Sequence, residues 1–346
     1  KLSVKDERLL NFITDIGNYS VQVRCIASDT NSLTPYVKTE NSPVANVSSD
    51  YSAVYTLTKL DTVKNLAINV NSDDPEQKEV TVSWQAVSGA TSYTIYINNV
   101  VQSEIEATSI AFIDELSASG DYTISVRANG DDKISSELES ISFTRLAPVT
   151  TGSIDKNAYA TWSKLDTNPY YIVMFVDATK EIFYQGDVLD NFIDFSSNEN
   201  LNNYAGGIVN FKVLVKGNGS TTLSSAYYFF DATKLTTPNL VVNADSLYIE
   251  EQGIAPENSY NFKLTIQMSN NGRIELVYNN YASYQEFVYP DYLPAGEITF
   301  TAQAVSELSN VLSSNEVSVT KTRLDTITNH KFYRETLTAE QEATYT

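Results

Sequence analysis

The chain has 346 residues, a formal net charge of −20, 42% apolar residues and 19% charged residues. This composition is too apolar for a disordered chain, and the acidic balance makes nucleic acid a poor partner, because phosphate binding calls for a basic face. No apolar run approaches the ~18 residues of a membrane-spanning helix, and no signal peptide opens the sequence, so we expect a fragment of a larger protein.

A motif of threonine, lysine or arginine, and leucine recurs at intervals of about 90 residues, which suits a small independent domain better than a helical solenoid repeat. The four motifs end at Leu60, Leu146, Leu235 and Leu324. We therefore predict three complete modules between two incomplete ones. The predicted ranges are 1–59 (part-module), 60–145 (module 1), 146–234 (module 2), 235–323 (module 3) and 324–346 (start of a further module).

The first 59 residues match the rear half of a module. "GNYSVQVRC" (17–25) alternates in the way of a strand, and Cys25 falls at one of its inward positions. We expect this cysteine to be a small buried apolar residue. Because it is the single cysteine of the sequence, no disulfide can form within the chain. The scarcity of cysteine favours a Gram-positive bacterial surface protein over an animal secreted one.

Module 1 has the clearest strand pattern. "EVTVSW" (79–84), "ATSYTIYIN" (90–98) and "GDYTISVRA" (120–128) alternate between apolar and polar residues. Period-2 alternation marks strands with one buried face, and turn residues separate them at intervals of about 10 residues, as in a β-sandwich.

These residues carry a resemblance to fibronectin type III domains. In that family a tryptophan on strand B packs against a tyrosine on strand C, and a leucine before strand F forms a corner with a tyrosine within it. Trp84, Tyr93, Leu116 and Tyr122 match those four positions. The resemblance implies an all-β fold of tandem Greek-key β-sandwiches arranged end to end.

Modules 2 and 3 follow the same pattern with departures. Trp162 matches the strand-B tryptophan, Tyr171 or its neighbour Tyr170 matches the strand-C tyrosine, and Tyr260 matches it in module 3. Val209 stands where strand F would carry tyrosine. A looser immunoglobulin-like sandwich therefore remains open for these two modules.

Each motif joins the last strand of one module to the first strand of the next without a flexible Gly/Ser linker. One hypothesis places the leucine against the base of the following module, with the basic head group in water. The alternative is that the leucine simply begins the next core. In the first case three modules in series form a restrained rod on the order of 100 Å.

Two recurring features accompany the motif. A pair of serines precedes each final strand at a constant offset, at Ser48-Ser49, Ser135-Ser136, Ser224-Ser225 and Ser313-Ser314. The incomplete ends indicate a piece of a longer chain, or a tail that completes the head of another copy in a filament by strand exchange. Partners are therefore neighbouring modules or other copies of the chain.

The search for chemistry predicts no enzyme and no cofactor. His330 has no cysteine partner nearby, which argues against zinc and against a catalytic triad. Calcium is a weak alternative at two acidic turns, "NSDDPE" (71–76) and "NGDD" (129–132), neither of which has EF-hand spacing.

A tyrosine-rich stretch in module 3 is the candidate contact surface for a host protein or a glycan, because exposed tyrosines are effective contact residues. Its members are Tyr278, Tyr281, Tyr284, Tyr289 and Tyr292. The sequence therefore predicts a non-enzymatic stalk or adhesive segment of an extracellular bacterial surface or cell-wall protein. Spacer or carbohydrate-binding modules of a secreted polysaccharide-degrading enzyme are the alternative.

Overall fold

The structure is a computed structural model that describes residues 13–25, 49–165, 168–244, 246–250, 260–279, 284–288, 293–326 and 328, with the backbone alone for 279 and 284–288. It divides into two compact units. The first comprises 1–149, 165–171 and 214–227, and the second comprises 150–164, 172–213 and 228–346. The module names are kept below as labels for residue ranges, whose boundaries stay predictions.

The described residues are almost entirely β-structure, with one short helix, α1 (Glu199–Asn203). The strands in chain order are β1 (Gly17–Val21), β2 (Tyr55–Lys59), β3 (Lys64–Val70), β4 (Val80–Gln85), β5 (Ser92–Ile97), β6 (Val100–Ile105), β7 (Ser109–Phe112), β8 (Gly120–Asn129), β9 (Lys133–Ile134), β10 (Glu139–Arg145), β11 (Gly152–Ile154), β12 (Tyr159–Trp162), β13 (Tyr170–Val176), β14 (Glu181–Val188), β15 (Phe192–Asp194), β16 (Gly207–Val215), β17 (Thr222–Leu223), β18 (Tyr228–Lys234), β19 (Asn239–Val242), β20 (Ser246–Glu250), β21 (Asn261–Met268), β22 (Arg273–Asn279), β23 (Tyr284–Val288), β24 (Gly296–Val305), β25 (Val311–Leu312) and β26 (Val317–Arg323).

In the first unit, module 1 forms two antiparallel sheets. One sheet has the order β3-β4-β7, and the other has the order β10-β8-β5-β6 with the short strand β17 added beside β10. If the strands of module 1 are lettered from A to G, these sheets are A-B-E and C′-C-F-G. That is the strand order of a fibronectin type III-like sandwich, so the predicted fold class is confirmed.

The core of module 1 follows from the alternation read in the sequence. Val80, Val82 and Trp84 are buried on β4, while the residues between them stay partly exposed. The Trp84 and Tyr93 rings meet edge to face with centroids 5.3 Å apart. The Tyr93 hydroxyl accepts a hydrogen bond from the backbone N–H of Val87 at 2.9 Å, so a buried aromatic ring also satisfies a buried donor.

The corner before strand F is built around a buried leucine. Leu116 is fully buried, and the Tyr122 hydroxyl donates to the Ala118 carbonyl at 2.9 Å. The Tyr122 ring stacks on Phe143 with centroids 5.5 Å apart. These contacts fix the loop between strands E and F, whose carbonyl groups become part of the site described below.

The remaining sheets repeat the arrangement of module 1 twice. The sheets β11-β12-β15 and β14-β13-β16-β18-β25 carry module 2, and β19-β20-β23 and β22-β21-β24-β26 carry module 3. In module 2 the corner before strand F contains α1, where the Asn198 side chain caps the helix by accepting from the Leu201 N–H at 2.8 Å. Leu201 is buried and stands at the position that Leu116 occupies in module 1.

Two aromatic positions refine the sequence expectations. Trp162 is buried in module 2 and Tyr260 is buried in module 3. The buried strand-C tyrosine of module 2 is Tyr170, whose hydroxyl accepts from the Leu165 N–H at 2.8 Å, whereas Tyr171 is half-buried. Adjacent tyrosines point to opposite faces of a strand, so the choice of Tyr171 was wrong by one residue of register.

Cys25 departs from its expected burial, because its side chain is exposed. Strand β1 ends at Val21, four residues earlier, so the alternation no longer determines which side chains face the core. The backbone N–H of Cys25 still bonds to the Ser49 hydroxyl at 2.8 Å. The residue therefore ends a strand rather than filling a core.

Replacing Tyr93 by Phe tests the paired role of this ring and hydroxyl. The ring remains, but the buried Val87 N–H loses its acceptor, so we expect the free energy of unfolding to fall by about 1–3 kcal/mol. Denaturant unfolding followed by tryptophan fluorescence measures the change. Tyr96→Phe, on the outer face of the same strand, is the matched control, with an expected change within about 0.5 kcal/mol. Equal effects of the two variants would contradict the assignment.

Candidate module-junction site

At three places the last strand of one module pairs in parallel with a two-residue strand of the next module. The pairs are β2 with β9, β10 with β17 and β18 with β25. In each pair the leucine that ends the recurring motif donates its backbone N–H across the junction at 3.0 Å. The acceptors are the carbonyl groups of Ile134, Leu223 and Leu312 for Leu60, Leu146 and Leu235 respectively.

The side chains of the residues that accept these bonds are also buried against the preceding module. Each of these residues is called the plug of its junction. Ile134 is fully buried in a cluster with Ile13 and Leu57 of the part-module. Leu223 is fully buried in the core cluster of module 1, and Leu312 is 3% exposed at the equivalent position. Each complete module therefore sends one aliphatic side chain into, or against, the module before it.

The serine that follows each plug by two positions fixes the loop that carries the plug. The Ser136 hydroxyl accepts from the Ala128 N–H at 2.9 Å, and the Ser136 N–H donates to the Ala128 carbonyl at 3.0 Å. Ser225 with Val215 and Ser314 with Ala304 repeat both bonds within 0.1 Å. The recurrent serine pair thus closes the loop between strands F and G so that the plug projects from it.

The basic residue of each motif is buried beside the plug. Lys59 is 2% exposed, and its ammonium donates to the carbonyl groups of Ile13 and, at 3.2 Å, Thr14 in its own module. Its third contact is the Glu137 carboxylate of module 1 at 2.5 Å. All three ammonium donors therefore have oxygen partners, two behind the junction and one ahead of it.

Arg145 makes the corresponding contacts with a larger group. It is 3% exposed, and its Nε donates to the Leu116 carbonyl in the corner of its own module. Its two terminal nitrogens donate to the carbonyl groups of Glu76 at 3.2 Å, Gln77 at 2.9 Å and, in module 2, Ser224 at 2.9 Å. Burial lowers the pKa of this guanidinium, which stays charged at neutral pH.

Lys234 repeats the lysine arrangement in the second unit. Its ammonium donates to the carbonyl groups of Leu201 and, at 3.2 Å, Asn202, and to the Asn315 amide oxygen of module 3 at 2.7 Å. Here the partner ahead of the junction is neutral. Burial lowers the pKa of Lys234 from 10.5 to about 8.

The basic residue of the fourth motif, Arg323, also contacts the corner carbonyl of its own module. Arg323 donates from Nη1 to the Leu293 carbonyl at 2.5 Å, which is the equivalent of the Leu116 carbonyl for Arg145. Leu324, however, is 86% exposed. The described part of the chain therefore contains three closed junctions and one strand end that carries the same cation.

These contacts decide between the expectations for the motif. At the three closed junctions the basic head group does not stay in water, because corner carbonyl groups and the next module take the place of its hydration shell. Leu60 and Leu235 belong to the core clusters of the modules that follow them, whereas Leu146 is half-buried. Leu60 and Leu235 thus begin the next core, and all three leucines donate across the junction.

The acidic turn at 71–76 lies beside the second junction, where the Glu76 carbonyl accepts from Arg145. The Asp74 carboxylate accepts from the N–H groups of Glu76 and Lys78 at 3.1 and 2.9 Å, so its oxygens are engaged within the loop. The Gln77 side-chain oxygen accepts from the Ser224 N–H at 2.9 Å. Among the described residues, no group of three His, Cys, Asp or Glu side chains is placed to hold a metal ion.

The other candidates lie mostly beyond the described residues. Tyr278 packs partly buried against the module 3 core. Tyr281, Tyr289, Tyr292 and His330 lie outside the described residues, and only the backbone of Tyr284 is described. Within the described ranges, no helix has the length and apolar character that a membrane crossing requires.

The plug is the functional position that sequence reasoning missed. Its signal was present, because an apolar residue precedes every serine pair: Val47, Ile134, Leu223 and Leu312. The sequence read alone gives no reason to place such a residue in the preceding module rather than in its own.

Comparison with protein-family models and with curated protein sequences finds no match. Among solved structures the chain is similar to the FN1-FN3 domains of chicken CNTN1, with a TM-score of 0.24, 13% sequence identity, and coverage of 77% of this chain and 99% of that one. It is also similar to the chicken interferon gamma receptor alpha chain, with a TM-score of 0.23, 10% identity, and coverage of 51% and 98%. Scores this low carry no argument, so the fold class rests on strand order and register.

Replacing the plug Leu223 by Ala tests its role in module 1. The residue is fully buried in that core, so we expect the free energy of unfolding of module 1 to fall by about 2–5 kcal/mol. Leu189→Ala is the control, because Leu189 is 84% exposed, and its effect should stay within about 0.5 kcal/mol. Denaturant unfolding followed by Trp84 fluorescence in a Trp162→Phe background measures both. An unchanged Trp84 unfolding transition in Leu223→Ala would show that the plug does not support module 1.

The lowered pKa of Lys234 predicts a dependence of stability on pH. Between pH 8 and 10.5 the unfolded chain holds this proton more tightly than the folded chain, so its contribution to the free energy of unfolding rises with pH in that window. Denaturant unfolding of the wild type and of Lys234→Met across pH 7–11 isolates the effect as a difference, because other titrating groups cancel. A difference that falls with pH would contradict the prediction.

Proposed function

We propose that this chain is a non-enzymatic structural segment of a larger extracellular protein. In this proposal its β-sandwich modules are joined by restrained junctions. The protein stands on a bacterial cell surface or in its wall, where the segment serves as a stalk or part of a surface fibre. Its partners are neighbouring modules, and an adhesive contact with a host protein or glycan belongs to the same proposal.

The observation that carries the proposal is the repetition of one junction three times with the same parts. A parallel strand pair, an aliphatic plug, a closing serine and a buried cation recur at Lys59, Arg145 and Lys234. A flexible linker would need none of them, since Gly/Ser-rich segments leave neighbouring domains free.

The energetics support a restrained joint. A buried aliphatic side chain contributes about 1.5–3 kcal/mol relative to its exposed state. Opening a junction would also break the hydrogen bond between the buried cation and its acceptor in the next module, which adds to the cost. These costs favour the closed form strongly, which suits a segment that has to hold a functional end away from a surface.

The charge of the chain fits the same role. A net charge of −20 keeps an array of modules soluble and discourages association between arrays through non-specific contacts. The three buried cations contribute little to the charge of the surface, because they lie inside the junctions.

Small-angle scattering of the intact chain tests the proposal. The wild type should give a narrow distribution of maximum dimension. Replacing the three plugs together, Ile134, Leu223 and Leu312, each by Ala should broaden that distribution. The matched control replaces three exposed aliphatic residues, Ile182, Leu189 and Leu308, by Ala and should leave the wild-type profile unchanged. A broadly flexible wild type would overturn the proposal.

A further inference from the structure

The residue type at one position differs among the junctions, and it varies with the identity of the buried cation. The residue directly after the serine pair of the next module is Glu137, Ala226 and Asn315 at the three junctions. The first and third junctions have lysine as the cation, and the second has arginine. A side-chain oxygen therefore faces each lysine, and a methyl group stands at the same position in the arginine junction.

From this correspondence we infer that the residue after the serine pair is a specificity determinant, which decides whether the preceding module must end in lysine or in arginine. The inference rests on the proposed structural role of the junctions and adds to it a rule for which modules can be neighbours.

The physical reason lies in the number and reach of the donors. An ammonium has three donors, and in both lysine junctions two of them are used by carbonyl groups of its own module. The third must find an acceptor ahead of the junction, and backbone carbonyl groups there do not supply it. The Glu137 carboxylate and the Asn315 amide do, at 2.5 and 2.7 Å from the ammonium nitrogen.

A guanidinium meets the same requirement differently. Arg145 is longer and has five donors in a rigid fork, so it reaches carbonyl groups in the corner, in the 71–76 turn region and at Ser224 of the next module. No side-chain oxygen is needed at position 226, and a small residue leaves the fork unobstructed. Exchange of one cation for the other should therefore fail unless the determinant changes with it.

The rule extends to the two other motifs. A module that receives Arg323 should carry a small residue after its serine pair. The residue after the first serine pair, Ser48-Ser49, is Asp50, so the same rule would match this position to lysine.

A double-mutant cycle at the third junction tests the inference, with amide hydrogen exchange at Leu235 as the local readout of junction opening. Asn315→Ala leaves one buried ammonium donor without an acceptor, and we expect protection to fall about tenfold. Lys234→Arg alone should cause a similar fall. The double variant should recover to within about threefold of the wild type.

Two further variants guard against a general loss of structure. Asn315→Asp keeps an acceptor and should preserve the protection of the Leu235 amide. Lys59→Arg and Asn315→Ala lie at two different junctions, so a variant that combines them should show additive effects on amide protection. Amides at the centre of β24 report whether module 3 itself remains folded.

Additive losses in the Lys234→Arg/Asn315→Ala variant, about a hundredfold in total, would overturn the inference. So would full protection in Asn315→Ala. Neither outcome bears on whether wild-type junctions are restrained, because scattering of the unaltered chain decides that separately. Reciprocal recovery of Arg145→Lys by Ala226→Asn, read at the Leu146 amide, would support the rule at the second junction.

Discussion

The junctions depend on one interaction, the donation of a buried cation to the carbonyl group of the corner before strand F. Ile13, Leu116, Leu201 and Leu293 present that carbonyl to Lys59, Arg145, Lys234 and Arg323. These corner residues lie outside the strands, so strand pairing does not satisfy their carbonyl groups, and a buried carbonyl needs a donor from elsewhere. A long cationic side chain at the end of strand G supplies that donor. Because it also lies at the exit of the module, the same group is available to the next module.

The arrangement is costly to assemble and costly to open. Removing a cation from water carries a penalty of several kcal/mol, and aliphatic residues of similar volume often serve stability equally well. The three junctions nevertheless retain the cation, which favours a role in specificity over a role in raw stability. A plug alone would accept many neighbours, since apolar contact is non-directional, whereas a cation with a fixed set of acceptors requires a partner loop of matching length and chemistry.

Much of the fold could be predicted from the sequence. Several features of the junctions could not, for physical reasons. Period-2 alternation is a local signal, and the resemblance to fibronectin type III domains implied the Trp84–Tyr93 pairing, so the sandwich fold was predictable. Burial of Lys59 is not local, because the residues that cover it follow about 75 positions later in a loop of the next module. Alternation also cannot separate Tyr170 from Tyr171 when both are apolar enough for a core. For the plug, the apolar-serine-serine pattern gives the position but not the module that it enters.

The second junction gives the acidic turn of module 1 a structural role. Ala226 offers no acceptor or counter-charge ahead of Arg145, whereas Glu137 offers both to Lys59. Burial lowers the pKa of the Arg145 guanidinium, and Tyr122, Glu76 and Asp74 act in the opposite direction. The turn and the residue that follows it therefore supply two backbone carbonyl groups to Arg145, from Glu76 and Gln77, and the turn adds a negative potential. The acidic residues of the 71–76 turn and the Arg145 guanidinium therefore belong to one electrostatic arrangement.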